Sequence, residues 1–192
     1  MEKQEIRELI RRKRIDLSAE WIAEASDKIR DRVMEISWFR EARNVGCYLS
    51  VAGEVGTAGL VAECRALEKT IMVPAWNEEK NRYSMTLLKG DMDLSGGRYG
   101  INEPSVKEWC SELDLDVLLV PGLAFDRKGW RVGHGGGCYD RLISIARGDG
   151  SKPGFKAVGL AFDFQVLSDV PFSEHDERVD FIVTKNELIE TE

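Results

Sequence analysis

The chain has two histidines, five prolines and four cysteines among 192 residues, and each scarcity narrows the chemistry. Cys47, Cys64, Cys110 and Cys138 lie far apart, and none belongs to a C-x-x-C pair. That pattern argues against zinc held on paired cysteines. It fits four reduced, mostly buried thiols. No long apolar run is present: "VLLV", Val117 to Val120, falls far short of the roughly 20 residues that span a bilayer. The opening "MEKQEIRELIRRKR" has neither an apolar core nor a cleavage site, so no signal peptide is read there. The expected compartment is the cytosol, with no membrane partner. The net charge of −7 argues against non-specific nucleic-acid binding. It leaves room for an anionic small molecule, because local charge matters more. The local exception is "RRKR", Arg11 to Arg14, in a run that also holds Lys3 and Arg7.

What is present suits one soluble domain over residues 1–192, expected to be a monomer, with 43% hydrophobic and 32% charged residues. Glu2 to Ile15 has the spacing of a helix, and Ser18 is placed to cap a second one through about Ile36. Beyond it, short apolar strands alternate with helices. The strands read as Asn44–Ser50, Thr70–Ala75 (stopped by Pro74), Tyr83–Leu88, Asp116–Gly122, Lys156–Phe162 and Phe181–Thr184. Helices read as Thr57 to about Lys69, with Thr57 as cap, and Cys138 to Ala146. Such alternation predicts an α/β fold: a three-layer α/β/α sandwich around a mostly parallel, Rossmann-like sheet. Ligands in such sheets bind beyond the carboxyl ends of the strands. The loops after Leu49, Val73, Val120 and Ala161 are therefore the places to look.

One of those regions holds "RVGHGGGCYDR", Arg131 to Arg141, with four glycines in five positions around His134. Glycine is entropically costly to order, so the cluster asks for a reason. A bare turn running into a helix start exposes N–H groups that can close on phosphate oxygens. No Lys-Ser or Lys-Thr follows, so it is not a Walker A loop. Cys138 stands at the third glycine position of a dinucleotide fingerprint, and no G-x-S-x-G accompanies the "HGGG" stretch as a hydrolase requires. A tight loop without a ligand is the remaining alternative.

Asp140, just past the glycines, admits two readings: a Mg²⁺ ligand beside bound phosphates, or a helix-start aspartate answering the macrodipole. Lys3, Arg7, Arg11 and Arg14 share one face of the first helix. They form either a cationic stripe for a phosphate tail or a solvated face paired with Glu2, Glu5 and Glu8.

These residues resemble the 5-formyltetrahydrofolate cyclo-ligase family, also called methenyltetrahydrofolate synthetases. The pattern P-G-L-x-F-D-x-x-G-x-R-[LIV]-G-x-G-x-G-x-Y-D is met from Pro121 to Asp140. Lys3, Ile6 and Arg7 match the N-terminal element, and Ser50, Glu54, Val55 and Thr57 a loop element. Gly100 to Pro104 and "HDERVDFIVT", His175 to Thr184, complete the match. The resemblance implies an ATP- and Mg²⁺-dependent enzyme that turns 5-formyltetrahydrofolate, with or without a polyglutamate tail, into 5,10-methenyltetrahydrofolate. ADP and phosphate are released, by way of a phosphorylated formyl group (an iminium phosphate).

The resemblance also assigns roles by position. Lys3, Arg7 and Arg131 would supply charge to the reacting phosphates. Arg131, Val132, Gly133, His134, Gly135, Gly136, Gly137, Cys138 and Tyr139 would wrap ATP. Leu49, Glu54, Tyr99 and the loop from His134 to Cys138 would line the folate site, with Glu54 accepting from the pterin. Asp140, with Asp180, would bind Mg²⁺. His134 and Cys138 stand where the family commonly carries larger side chains, and Gly136 where members carry Lys or Gly. The altered pair admits a second reading, a non-catalytic folate- or nucleotide-binding relative. Retention of Lys3, Arg7, Glu54, Arg131 and Asp140 together argues for the enzyme. His175 and Asp176 are expected to brace the last strand.

Overall fold

A computed structural model describes residues 1–51, 53–90, 94–97, 102–148 and 154–192. Tyr99, with Gly100 and Ile101 of the Gly100–Pro104 match, lies outside the described residues. The chain opens with two helices, α1 (Lys3–Ile15) and α2 (Ala19–Glu35). The Glu5 carboxylate accepts from the Glu2 N–H at 2.8 Å and closes a capping box on α1. Ser18 caps α2 as expected, accepting from Trp21 N at 3.2 Å. A short helix not anticipated from the sequence, α3 (Ser37–Glu41), leads into β1 (Asn44–Gly46), which is shorter than expected. Then come α4 (Ala58–Ala66), β2 (Thr70–Asn77) and β3 (Arg82–Leu87). A small hairpin, β4 (Leu94–Gly96) and β5 (Asn102–Pro104), precedes β6 (Val117–Val120). Two short strands, β7 (Ala124–Asp126) and β8 (Arg131–Val132), lead to α5 (Cys138–Arg147). β9 (Lys156–Leu160), β10 (Val166–Leu167), β11 (Phe181–Val183) and β12 (Leu188–Glu190) follow.

The main sheet has seven strands in the order β12-β11-β9-β6-β1-β2-β3. Neighbours from β11 to β2 run parallel, and the edge strands β12 and β3 antiparallel. Pro74 does not stop β2, which runs through it opposite Met85. Met72 turns its carbonyl toward β1, accepting from Cys47 N. Alternation turns Pro74 the same way, past the point where β1 pairing has ended, so its missing N–H leaves no ladder bond unmade.

Side chains alternate across the strands and build two cores. Val45, Ile71, Val117, Leu119, Val158 and Val183 face α2, α3 and α4. Leu118, Val120, Ala157 and Ile182 face Leu142, Ile143 and Ala146 of α5. This is the expected three-layer sandwich. Outside it, β10, β7 and β8 form a small sheet that packs Leu123, Ala124 and Val132 under Ile6 and Ile10 of α1. Phe125 locks that sheet to the large one. A Cβ at Gly122 or Gly159 would lie 2.5 or 2.6 Å from its ring, so two glycines make the space the ring fills. From β1 the chain moves outward to β2 in one direction and to β6 in the other. The crevice of a doubly wound sheet lies where strand order reverses, here between β1 and β6.

Candidate functional site

The loop leaving β1 is knitted by its own polar groups. The Thr57 hydroxyl donates to Tyr48 O at 2.7 Å rather than capping α4, so the expected cap is absent. The Ser50 hydroxyl accepts from Thr57 N, and Tyr48 OH donates to Val55 O at 2.9 Å. The loop so closed turns Glu54 inward, to 8% exposure, with Oε2 accepting from Val51 N at 3.1 Å. Glu54 borders a cavity of about 1060 Å³ at the switch point, with Arg11 and Arg14 of α1, Ile22 of α2, Val51 and His134 also in its wall. His134 Nε2 reaches within 3.8 Å of Glu54 Oε1 from the glycine loop. Leu49 is half-buried against the α2-side core, while its neighbours Ser50 and Val51 face the cavity.

The glycine loop joins β8 to α5. Gly135 and Gly137 have φ of +110° and +61°, in the region that glycine enters without strain. Gly137 stands at the N-cap of α5. Arg7 Nε donates to Gly133 O at 2.9 Å, which binds α1 to the loop. Arg131 is buried, and its Nη1 lies so close under Gly133 that a Cβ there would meet it at 2.9 Å. Its Nη2 is 2.9 Å from Asp140 Oδ1. The pair is close but not aligned as a hydrogen bond, because Nε and Nη2 both remain without an acceptor. The Asp140 carboxylate supplies the counter-charge of this buried cation, and Nε keeps an unused donor. Val132 contributes packing under α1, and its carbonyl is taken by Leu123 N. Cys138 starts α5, and burial pushes its thiol up to about 12, with Arg131 opposing. It therefore stays protonated, and no thiolate nucleophile is available here.

The segment after β10 straps this corner. Asp176 accepts from Lys3 Nζ and, at 2.6 Å, from Ser173 N. Next to it, Glu177 N donates to Asp140 Oδ1 at 3.1 Å. Asp140 and Asp176 are thus brought to one corner, with Lys3, Arg7 and Arg131 around it. Asp180 is not. Its Oδ1 pairs with Arg147 Nη2 at 2.9 Å and its Oδ2 accepts from Ala157 N at 2.7 Å. Arg147 ends α5 and also pairs with Glu177 at 2.6 Å. Both Asp180 oxygens are thus engaged away from Asp140, and of the two aspartates in "HDERVD" it is the earlier one, Asp176, that the strap sets beside Lys3. His175 braces nothing, being exposed beside Glu174. Among the described residues no group of three or more His, Cys, Asp or Glu side chains stands ready for a metal, and none of their helices is long and apolar enough to cross a membrane.

Comparison with known proteins converges on one family. Residues 1–185 match the model of the 5-formyltetrahydrofolate cyclo-ligase family. The 5-formyltetrahydrofolate cyclo-ligase of Saccharomyces cerevisiae is 33% identical over 201 residues, covering 94% of this chain and 94% of the relative. That of Haemophilus influenzae is 31% identical over 176 residues, covering 90% and 91%. The solved structure of Aquifex aeolicus 5,10-methenyltetrahydrofolate synthetase superposes with a TM-score of 0.85 at 33% identity, over 99% of this chain and 93% of that one.

Proposed function

The chain belongs to the 5-formyltetrahydrofolate cyclo-ligase family, and from that premise we propose that it closes 5-formyltetrahydrofolate to 5,10-methenyltetrahydrofolate with cleavage of ATP to ADP and phosphate, the formyl oxygen leaving in the phosphate. The observation that carries this reading is the glycine loop held by Arg7 and underlain by Arg131, with Lys3 on the adjoining strap at Asp176, and sharing His134 with the Glu54 cavity. One side suits a triphosphate, the other a flat heterocycle with an N–H edge.

The chemistry needs no protein nucleophile. A formamide oxygen is a poor leaving group, and transfer of the γ-phosphoryl group to it gives an iminium phosphate. N10 then attacks the formyl carbon and loses its proton as the ring closes and phosphate leaves. The protein supplies placement and charge. Loop N–H groups from Gly133 to Tyr139, with Lys3, Arg7 and Arg131, face the phosphates. Glu54 accepts from the pterin, with His134 and Cys138 closing the folate side.

Mg²⁺, when bound, would neutralise charge on the transferred phosphoryl group. It commonly takes one or two carboxylates together with phosphate oxygens, and Asp140 with Asp176 fits that demand. The enzyme is read as a cytosolic monomer acting on these small molecules, without nucleic acid.

The test is absorbance growth of the methenyl product from 5-formyltetrahydrofolate. Growth with Mg·ATP and none without it is expected. No growth from folded protein that still binds ATP would favour a non-catalytic relative.

A further inference from the structure

Arg14, the last cation of the α1 stripe, is anchored to a distant segment as Lys3 and Arg7 are. It sits at the other end of α1 from Lys3, and Nη2 donates to Gly122 O at 2.7 Å. That bond ties it to the end of β6, at the switch point. Its stem runs along Gly53, where a Cβ would lie 3.4 Å from Arg14 Cβ and Cδ. Gly53 has φ +80° and precedes Glu54, so the arginine supports the turn that aims the carboxylate. Its Nε is buried without an acceptor. Burial pushes the guanidinium below its ordinary value, while the Glu54 carboxylate acts in the other direction. An arginine nevertheless stays charged at any working pH.

Other groups near Glu54 do not replace that charge. Tyr48 and Tyr139 feel the Glu54 carboxylate, and burial holds both phenols neutral, far above their ordinary range. His134 is half-exposed on the loop at 3.8 Å. A carboxylate at 8% exposure needs a compensating cation or several donors. Arg14 is a cation in the same cavity wall, held by Gly122 O and packed against the glycine that precedes Glu54.

We infer that Arg14 is a positioning residue for folate recognition, acting through Glu54: anchored on Gly122 and packed under Gly53, it sets where the carboxylate stands and balances its charge. The inference rests on Glu54 as the pterin acceptor. The experiment measures 5-formyltetrahydrofolate binding without ATP by calorimetry, and KM for each substrate, in Arg14→Met, Arg14→Lys, Glu54→Gln and the double variant Arg14→Met/Glu54→Gln. Arg14→Met should weaken folate binding about tenfold and raise KM for folate but not for ATP. Arg14→Lys should recover part of the loss, keeping charge without the fork. The double variant should bind no worse than Glu54→Gln alone, because one residue acts through the other. Additive losses, or Arg14→Met binding like wild type beside a defective Glu54→Gln, would overturn the role of Arg14 alone. Glu54→Gln binding folate like wild type would overturn the pterin assignment and this inference with it. If Arg14→Met does not fold, the same comparison is made with Arg14→Lys, whose unchanged folate KM would equally count against it.

Discussion

Asp140 presents its carboxylate in the first turn of α5, with Oδ1 facing both the Glu177 N–H and the Arg131 guanidinium. Asp180 spends both oxygens on Arg147 and the Ala157 N–H. The resemblance implies Mg²⁺ at Asp140, with Asp180 as its companion; the two carboxylates have different partners here. Asp140→Asn is expected to lower kcat by about 100-fold or more, as removal of preorganised charge at a phosphoryl group does, and to lower the melting temperature as well, because buried Arg131 loses its counter-charge. Asp180→Ala should act on stability alone, costing about 1–2 kcal/mol from the orphaned Ala157 N–H and the lost ion pair, with turnover retained. Steady-state kinetics and thermal melts on the two variants decide this. Loss of turnover in Asp180→Ala at full stability would restore it to the metal site.

At the scale of elements, the glycine loop separates folding need from ligand need. Gly137 is at φ +61° on the α5 N-cap, where a Cβ is strained by about 1 kcal/mol. Gly136 has an ordinary φ, and an added Cβ would meet nothing within 4 Å. The fold therefore gives no reason for glycine at Gly136, a position where family members carry Lys or Gly; a phosphate closing on the bare backbone would be such a reason in this chain. Gly136→Ala should melt like wild type and raise KM for ATP, whereas Gly137→Ala should lose stability. Unchanged ATP kinetics in Gly136→Ala would show that phosphate does not approach the loop there.

The same loop explains what the sequence made legible. Apolar periodicity located α1, α2, α5 and the buried β6, because each has a burial pattern long enough to read. It could not find β7, β8 and β10, which have two or three residues each and exist because Phe125 and α1 hold them in place. Nor could it foresee that β2 runs through Pro74, since that depends on where a neighbouring strand ends.

Over the whole molecule, α1 works as a spine across both halves of the site. Lys3 meets the strap, Arg7 the glycine loop and Arg14 the end of β6. Helical spacing put these cations on one face in the sequence. Which partners they take was not legible, because the contacts lie 173, 126 and 108 residues away. The solvated-face alternative fails for these three, since each bonds to a distant part of the fold. The Lys3–Asp176 clasp predicts a pH dependence of stability. Burial acts to raise the Asp176 carboxyl, but hydrogen bonds from Lys3 and Ser173 outweigh it and hold it below the usual range. A depressed carboxyl stabilises the fold above the unfolded value of about 3.9 and ceases to do so as pH falls through the lower folded value. Asp176→Asn should therefore melt about 2–4 °C below wild type at pH 7, for a part-buried pair worth about 1 kcal/mol. The two melting curves should converge as the pH falls through the folded value of the Asp176 carboxyl. An offset that persists unchanged in acid would mean that Asp176 holds the strap by shape and neutral hydrogen bonds, and that the charge on Lys3 is free for the nucleotide.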